Sequence, residues 1–204
     1  MGVIKMIDEL KRDFIRLICD IYPSRAAVWG IKKAGYNDCS TLGVEENLIK
    51  LKEFLQRLEK VEDSIKDQLG YLYIKRNIIA RIYELTEMRK FHMTASYYYS
   101  MTLKSLMVLW DNYALYSDEI DIDFLKTMLI KLPIAIDNAI SEMDKLELVY
   151  IDLLYTKNMV KNDIKELQEK KIQYLNLNEE FLVSIQKSVE LLNYIESRIN
   201  MGLY

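Results

Sequence analysis

The stretch "VEENLIKLKEFLQRLEKVEDSIKDQLGYLYIKRNIIARIY", residues 44–83, decides the fold class. Val44, Leu48, Leu51, Leu55, Leu58, Ile65, Leu69, Leu72, Ile79 and Tyr83 recur in steps of four and three, with Glu62 and Arg76 standing where the stripe would otherwise continue. That alternation is the seam of helices packed side by side at a shallow angle. Unbroken from 44 to 90, one helix would reach roughly 70 Å at ~1.5 Å per residue, with Gly70 the place to expect a kink.

The same habit returns later. Leu125, Leu129, Leu132, Ile136, Ala139, Met143, Leu146, Tyr150 and Leu153 keep the alternation, and Val160, Ile164 and Leu167 extend it. Pro133 predicts a break or kink, with proline in the first turn of the helical segment after it, because it lacks an amide hydrogen and crowds the preceding turn. Residues 3–21 form an amphipathic pattern stopped by Tyr22-Pro23. A short helix is expected through "RAAVWGIKKA", and "GYNDCSTLG" (35–43) is the richest turn-forming stretch. A last helix over 179–200 has Asn178 as its expected N-cap and Phe181, Ile185, Leu192, Ile195 and Ile199 as its apolar face.

Only 2 prolines and 6 glycines occur in 204 residues, too few turn-formers for a many-stranded sheet protein. The expected fold is therefore all-α: long, mainly antiparallel helices in a bundle or coiled coil, with a shorter helical N-terminal segment. That segment spans 1–43 and the bundle 44–204. "LIKL" occurs at 48–51 and again at 129–132, and Tyr73 and Tyr155, Lys75 and Lys157, and Leu85 and Leu167 share a separation of 82 residues. Two related three-helix units, 44–117 and 118–204, would explain the recurrence.

The composition narrows the functional classes. A net charge of −3 disfavours an extended phosphate-binding face. Cys19 and Cys39 belong to no CxxC pair, and two such thiols point to a reducing compartment. His92 is the only histidine, and Arg89 stands three residues before it, so the Glu-x-x-His pair of a di-iron bundle is absent. Glu59 and Asp63, one helical turn apart, read as solvated surface. The acidic run "SDEIDID" (117–123) lacks the glycine and terminal glutamate of a calcium loop and reads as a cap, through Asp121 or Asp123. Neither a nucleophile elbow nor a glycine-rich phosphate loop occurs. The expectation is a protein with no catalytic residues, no cofactor and no metal. No window offers roughly 18 uncharged apolar residues, so no membrane span is expected and the location is expected to be cytoplasmic.

Two surfaces stand out. In "FHMTASYYYSMTLKSLMVLWDNYALY" (91–116), one continuous helix would point Tyr97, Tyr98 and Tyr99 in three directions, at ~100° per residue. Tyr99 then joins a core stripe with Leu103, Leu106, Trp110 and Tyr113. Tyr98, Met101, Leu109 and Tyr116 make a second flank, the candidate partner interface. The other surface is Arg25, Lys32 and Lys33 beside Trp29, a candidate nucleic-acid contact on a short helix after a tight turn. Substituting Lys32 and Lys33 by glutamate would then abolish salt-sensitive retention on DNA; unchanged retention would rule this surface out.

Residues 76–95, "RNIIARIYELTEMRKFHMTA", resemble the helical region of archaeal GINS replication subunits, in which a long helix carries spaced basic residues ahead of an apolar continuation with alanine. Arg89, Lys90, Phe91 and Ala95 are the matching positions, and "YSDEIDIDFL" (116–125) is similar to the acidic linker into the next helix. The likeness implies a subunit of a replication complex. GINS subunits usually add a small β-domain, whereas residues 134–204 read as helix throughout. The leading expectation is a non-enzymatic structural or assembly protein that binds a protein partner or itself through exposed helix seams. The alternative is a nucleic-acid-associated accessory factor.

Overall fold

A computed structural model describes residues 2–23, 26, 31, 35–88, 94–116 and 121–202. The fold is all-α: among the described residues there are nine α-helices, one 3-10 turn and no strand. The helices are α1 (Gly2–Ile21), α2 (Thr41–Glu59), α3 (Asp63–Lys66), α4 (Leu69–Thr86), α5 (Ala95–Met101), α6 (Leu103–Tyr116), α7 (Ile122–Met143), α8 (Tyr150–Gln173) and α9 (Asn178–Met201). They form two compact units: Met1–Ile21 with Thr41–His92, and Tyr22–Ser40 with Met93–Tyr204. These cut points differ from the sequence boundaries at 43/44 and 117/118.

In the first unit, α1 buries Leu10, Phe14, Ile18 and Ile21, and it ends one residue before the Tyr22-Pro23 stop. α2 buries Val44, Leu51, Phe54 and Leu58, while α4 contributes Tyr71, Ile74 and Ile78. The long pattern from Val44 is not one unbroken helix. The chain leaves helix at residues 60–62 and turns back through α3. The turn is secured by tertiary contact rather than by a breaker residue: the Tyr71 hydroxyl donates to the carbonyl of Leu58, 3.2 Å away in the last turn of α2. That carbonyl lies among the four that a helix end leaves without intrahelical partners.

Gly70, the expected kink, sits instead in the first turn of α4. A Cβ there would stand 3.1 Å from Ile7 Cγ2 and 3.3 Å from Lys11 Cε, so glycine allows α1 its close approach. Arg57 on α2 reaches Asp13 on α1 at 2.6 Å, a surface tie between those two helices.

In the second unit, α7, α8 and α9 share a core that includes Leu125, Leu129, Leu132, Ile136, Leu153, Val160, Phe181 and Ile195. Polar pairs give their directions. Lys126 meets Glu180 at 3.1 Å, Asp137 meets Lys187 at 2.6 Å, and Arg198 donates to the Leu146 carbonyl at 2.7 Å. These pairs ascend both helices together, so α7 and α9 run the same way, and α9 packs against both α7 and α8.

In three places the structure departs from the sequence reading. α7 runs unbroken through Pro133. Proline cannot donate to the carbonyl four residues before it, and the buried Ser184 hydroxyl of α9 donates to that Leu129 carbonyl at 3.0 Å. Asn178 is the first helical residue of α9 rather than its cap; Leu177 holds the cap position and a 3-10 turn over 175–177 leads in. The helix expected over 94–116 divides at Thr102, whose backbone leaves the helical region and whose hydroxyl donates back to the Tyr98 carbonyl at 2.8 Å. By contrast, the Asp121 side chain accepts from the Phe124 amide at 3.0 Å, capping α7 as expected. Gly202, in the left-handed region at φ 66°, closes α9.

Candidate functional site

The aromatic segment is largely interior. Tyr98 and Tyr99 on α5, and Leu103, Leu106, Leu109 and Trp110 on α6, are all buried in the core of the second unit. The candidate partner flank is thus covered by the chain's own helices at Tyr98 and Leu109. Met101 is half-buried, and its sulfur accepts from Asn37 Nδ2 at 2.8 Å. The Tyr116 side chain lies outside the described residues, as do Arg25, Trp29, Lys32 and Lys33. Of the GINS-like positions, Arg89, Lys90 and Phe91 also lie outside them, and Ala95 is buried in the first turn of α5.

Two polar constellations accompany that core. On α8, Asp163 accepts from the Tyr99 hydroxyl at 2.6 Å, and Asp152 accepts from both the amide and the hydroxyl of Ser96. Burial pushes the Asp163 carboxyl above its usual range, against the opposing pull of the Tyr99 hydrogen bond and of Lys104. The Tyr99 phenol is pushed up by burial and then by Asp163, so it stays protonated as the donor. Chemically, this arrangement fastens α5 to α8. Thr156, one turn from Asp152, is fully buried, and among the described residues its hydroxyl has no hydrogen-bond partner.

The second constellation is a pocket of about 220 Å³ between residues 36–39 and α7, lined by Asp38, Cys39, Lys131 and Asn138 among others. Cys39 is a free thiol pushed up to about 12, first by burial and then by Asp38, so it is no thiolate nucleophile near neutral pH. Cys19 is likewise a buried thiol. Glu59 and Asp63 fall on different helices, Asp63 pairing with Lys66 at 2.8 Å. Among the described residues no group of three or more His, Cys, Asp and Glu side chains is placed to hold a metal ion. No described helix is long and apolar enough to cross a membrane.

The feature that interior packing leaves unexplained is the outward face of α4. Leu69, Leu72, Tyr73, Arg76, Ile79 and Tyr83 fall within an arc of about 120° on a helix turning ~100° per residue. The large apolar members are exposed: Leu69 by 83%, Leu72 by 50%, Tyr73 by 63%, Ile79 by 47% and Tyr83 by 55%. Four of them belong to the four-three stripe of residues 44–83. That stripe is buried on α2 at Val44, Leu51 and Leu58, but on α4 it faces outward while Tyr71, Ile74 and Ile78 fill the core. The spacing alone predicts one seam on one helix. The turn at 60–62 resets the rotation, and the seam changes sides.

An 82-residue shift lays α4 over α8. Residues 69–86 and 151–168 then share Leu72 with Leu154, Tyr73 with Tyr155, Lys75 with Lys157, Ile82 with Ile164, Glu84 with Glu166 and Leu85 with Leu167. Burial follows the same register: Tyr71 and Leu153, Ile74 and Thr156, and Ile78 and Val160 are buried in both. Outside, both expose apolar residues at Leu69 and Ile151 and at Tyr73 and Tyr155, and further along they part. Where α4 exposes Ile79 and Tyr83, α8 exposes Lys161 and Lys165. Comparison of the chain with protein-family models, curated proteins and solved structures returns no match.

Proposed function

We propose that this is a non-enzymatic assembly protein that works through protein–protein contact, with the outward face of α4 as its docking surface. One observation carries the reading: five large apolar side chains stand exposed on one helix face, while the register-matched helix α8 solvates the last two of those positions with lysine. A lone exposed leucine needs no explanation, but a contiguous apolar stripe marks an interaction surface. Leu69, Leu72, Tyr73, Ile79 and Tyr83, at i, i+3, i+4, i+10 and i+14, line one side as a ridge for a neighbouring helix.

The test is a pulldown with the native chain beside an Ile79→Lys, Tyr83→Lys variant whose helicity and melting are unchanged. The expected result is a protein, or a second copy of the chain, retained by the native form and released by the variant. Identical retention by both would sink the reading.

A further inference from the structure

The α4 face is not uniformly apolar. Arg76 stands exposed at its middle, one turn from Leu72, Tyr73 and Ile79. Elsewhere on the first unit Arg57 pairs with Asp13, Lys66 with Asp63 and Arg81 with Glu84, whereas Arg76 makes no ion pair among the described residues. Covering the stripe with a purely apolar surface would strip water from an unpaired guanidinium, which is costly. The occupant must therefore bring a carboxylate to the centre of its own apolar ridge.

The same chain displays such a ridge. On α2, Leu42, Glu45, Glu46, Ile49 and Glu53 are all exposed and share the face opposite Val44, Leu51 and Leu58. None of these three glutamates makes an ion pair among the described residues. Leu42 and Ile49 are seven residues apart, the heptad interval, with carboxylates between and after them. In the second unit Asn158 stands for Arg76, and in the register that aligns the two "LIKL" runs Lys126 and Ile134 stand for Glu45 and Glu53. The charge match belongs to the first unit alone.

We propose, resting on the reading of α4 as a docking surface, that the occupant is a second copy of this chain, presenting α2. Its leucine and isoleucine lie among Leu69, Leu72, Ile79 and Tyr83, and its glutamates receive Arg76. Pairing α4 with α4 instead fails on charge. Side by side and parallel, the two arginines would face each other; antiparallel, with the stripes fully overlapped, they would lie within about one turn.

An α4-on-α2 contact is heterologous: each copy still has one free face, α2 on one and α4 on the other, after a contact forms, so association propagates head to tail or closes as a ring. A single helix pair buries less than the ~1,600 Å² of a standard interface, so each contact is weak and association appears at high concentration.

The test uses the whole chain in sedimentation velocity and light scattering over a concentration series. The native chain is expected to grow beyond a dimer as concentration rises. An α4-blocked variant (Arg76→Glu, Ile79→Lys) and an α2-blocked variant (Glu46→Arg, Ile49→Lys) should each stay monomeric. Mixed in equal amounts, they should form a dimer and stop there, because each supplies one intact face. Self-association that survives the α2 substitutions, or a mixture that stays monomeric while the native chain grows, overturns the α2 assignment. A native chain monomeric at every concentration also overturns it; the broader docking reading would then stand or fall on the pulldown with Ile79→Lys and Tyr83→Lys.

Discussion

α4 and α8 share an inward register, and both expose an apolar residue at Leu69 and Ile151 and at Tyr73 and Tyr155, but they differ further along. α4 is largely apolar on both sides: Tyr71, Ile74 and Ile78 point in, while Leu69, Leu72, Tyr73, Ile79 and Tyr83 point out around Arg76. α8 admits polar groups on both, with Thr156 and Asp163 buried inside and Lys161 and Lys165 outside. The contrast separates what packing requires from what it permits. Val160 and Leu153 repeat the apolar bulk of Ile78 and Tyr71 on the inward side, whereas Lys161 and Lys165 show that such a helix keeps its place without apolar side chains at those two outer positions. Ile79 and Tyr83 are therefore surplus to folding.

The comparison breaks first at the inward faces. Ile78→Ala and Leu153→Ala should each cost about 2–5 kcal/mol in urea unfolding, the usual loss for a deleted core side chain. A cost well under ~1 kcal/mol at either position would mean that the two helices are not packed in equivalent registers.

Next comes the buried polarity peculiar to α8. Asp163→Ala leaves the Tyr99 hydroxyl buried without its acceptor and should cost about 1–3 kcal/mol. Asp163→Asn keeps an acceptor and removes the ionisation. The carboxyl holds its proton more tightly in the folded state than in the unfolded one. Its contribution to stability is thus greatest below the ordinary carboxylate range and declines as pH rises from there through the raised folded value. The stability of Asp163→Asn relative to the native chain should grow across that window and then level off. A difference that does not change with pH, measured by thermal melts, would show that Asp163 ionises in the fold without penalty.

A smaller effect is expected at Ser184→Ala, about 1 kcal/mol, since the Leu129 carbonyl loses its donor. The smallest is expected outside. Ile79→Lys with Tyr83→Lys on α4, or Lys161→Ile with Lys165→Tyr on α8, should each change stability by no more than about 0.5 kcal/mol. Binding of an apolar-surface dye should fall in the first pair and rise in the second. A large stability loss from the α4 pair would return those residues to the fold's own needs.

The helices themselves are legible in the sequence because the four-three spacing of leucine and isoleucine leaves little choice of period. Their interruptions are not. Residues 60–62 and Thr102 carry no proline or glycine; what ends the helices there is a hydroxyl or carbonyl satisfied by a neighbour. Pro133 reads as a break because the group that compensates for it, Ser184, lies 55 residues from the carbonyl it serves. The docking face is visible only as a seam. With α4 largely apolar on both sides, periodicity alone names two candidate cores; the side that turns inward carries Tyr71, Ile74 and Ile78, with Gly70 in close approach to Ile7. At Tyr98 and Leu109 the opposite holds: a flank that looks spare in the sequence is needed for the interior.

The Pro133–Ser184 pairing also ties two helices to one another. The Leu129 carbonyl has no donor within α7 and receives one where α9 packs against it. Loosening α9 would uncover an unsatisfied carbonyl in the middle of α7. The proline thus makes the integrity of one helix a readout of whether its neighbour is seated.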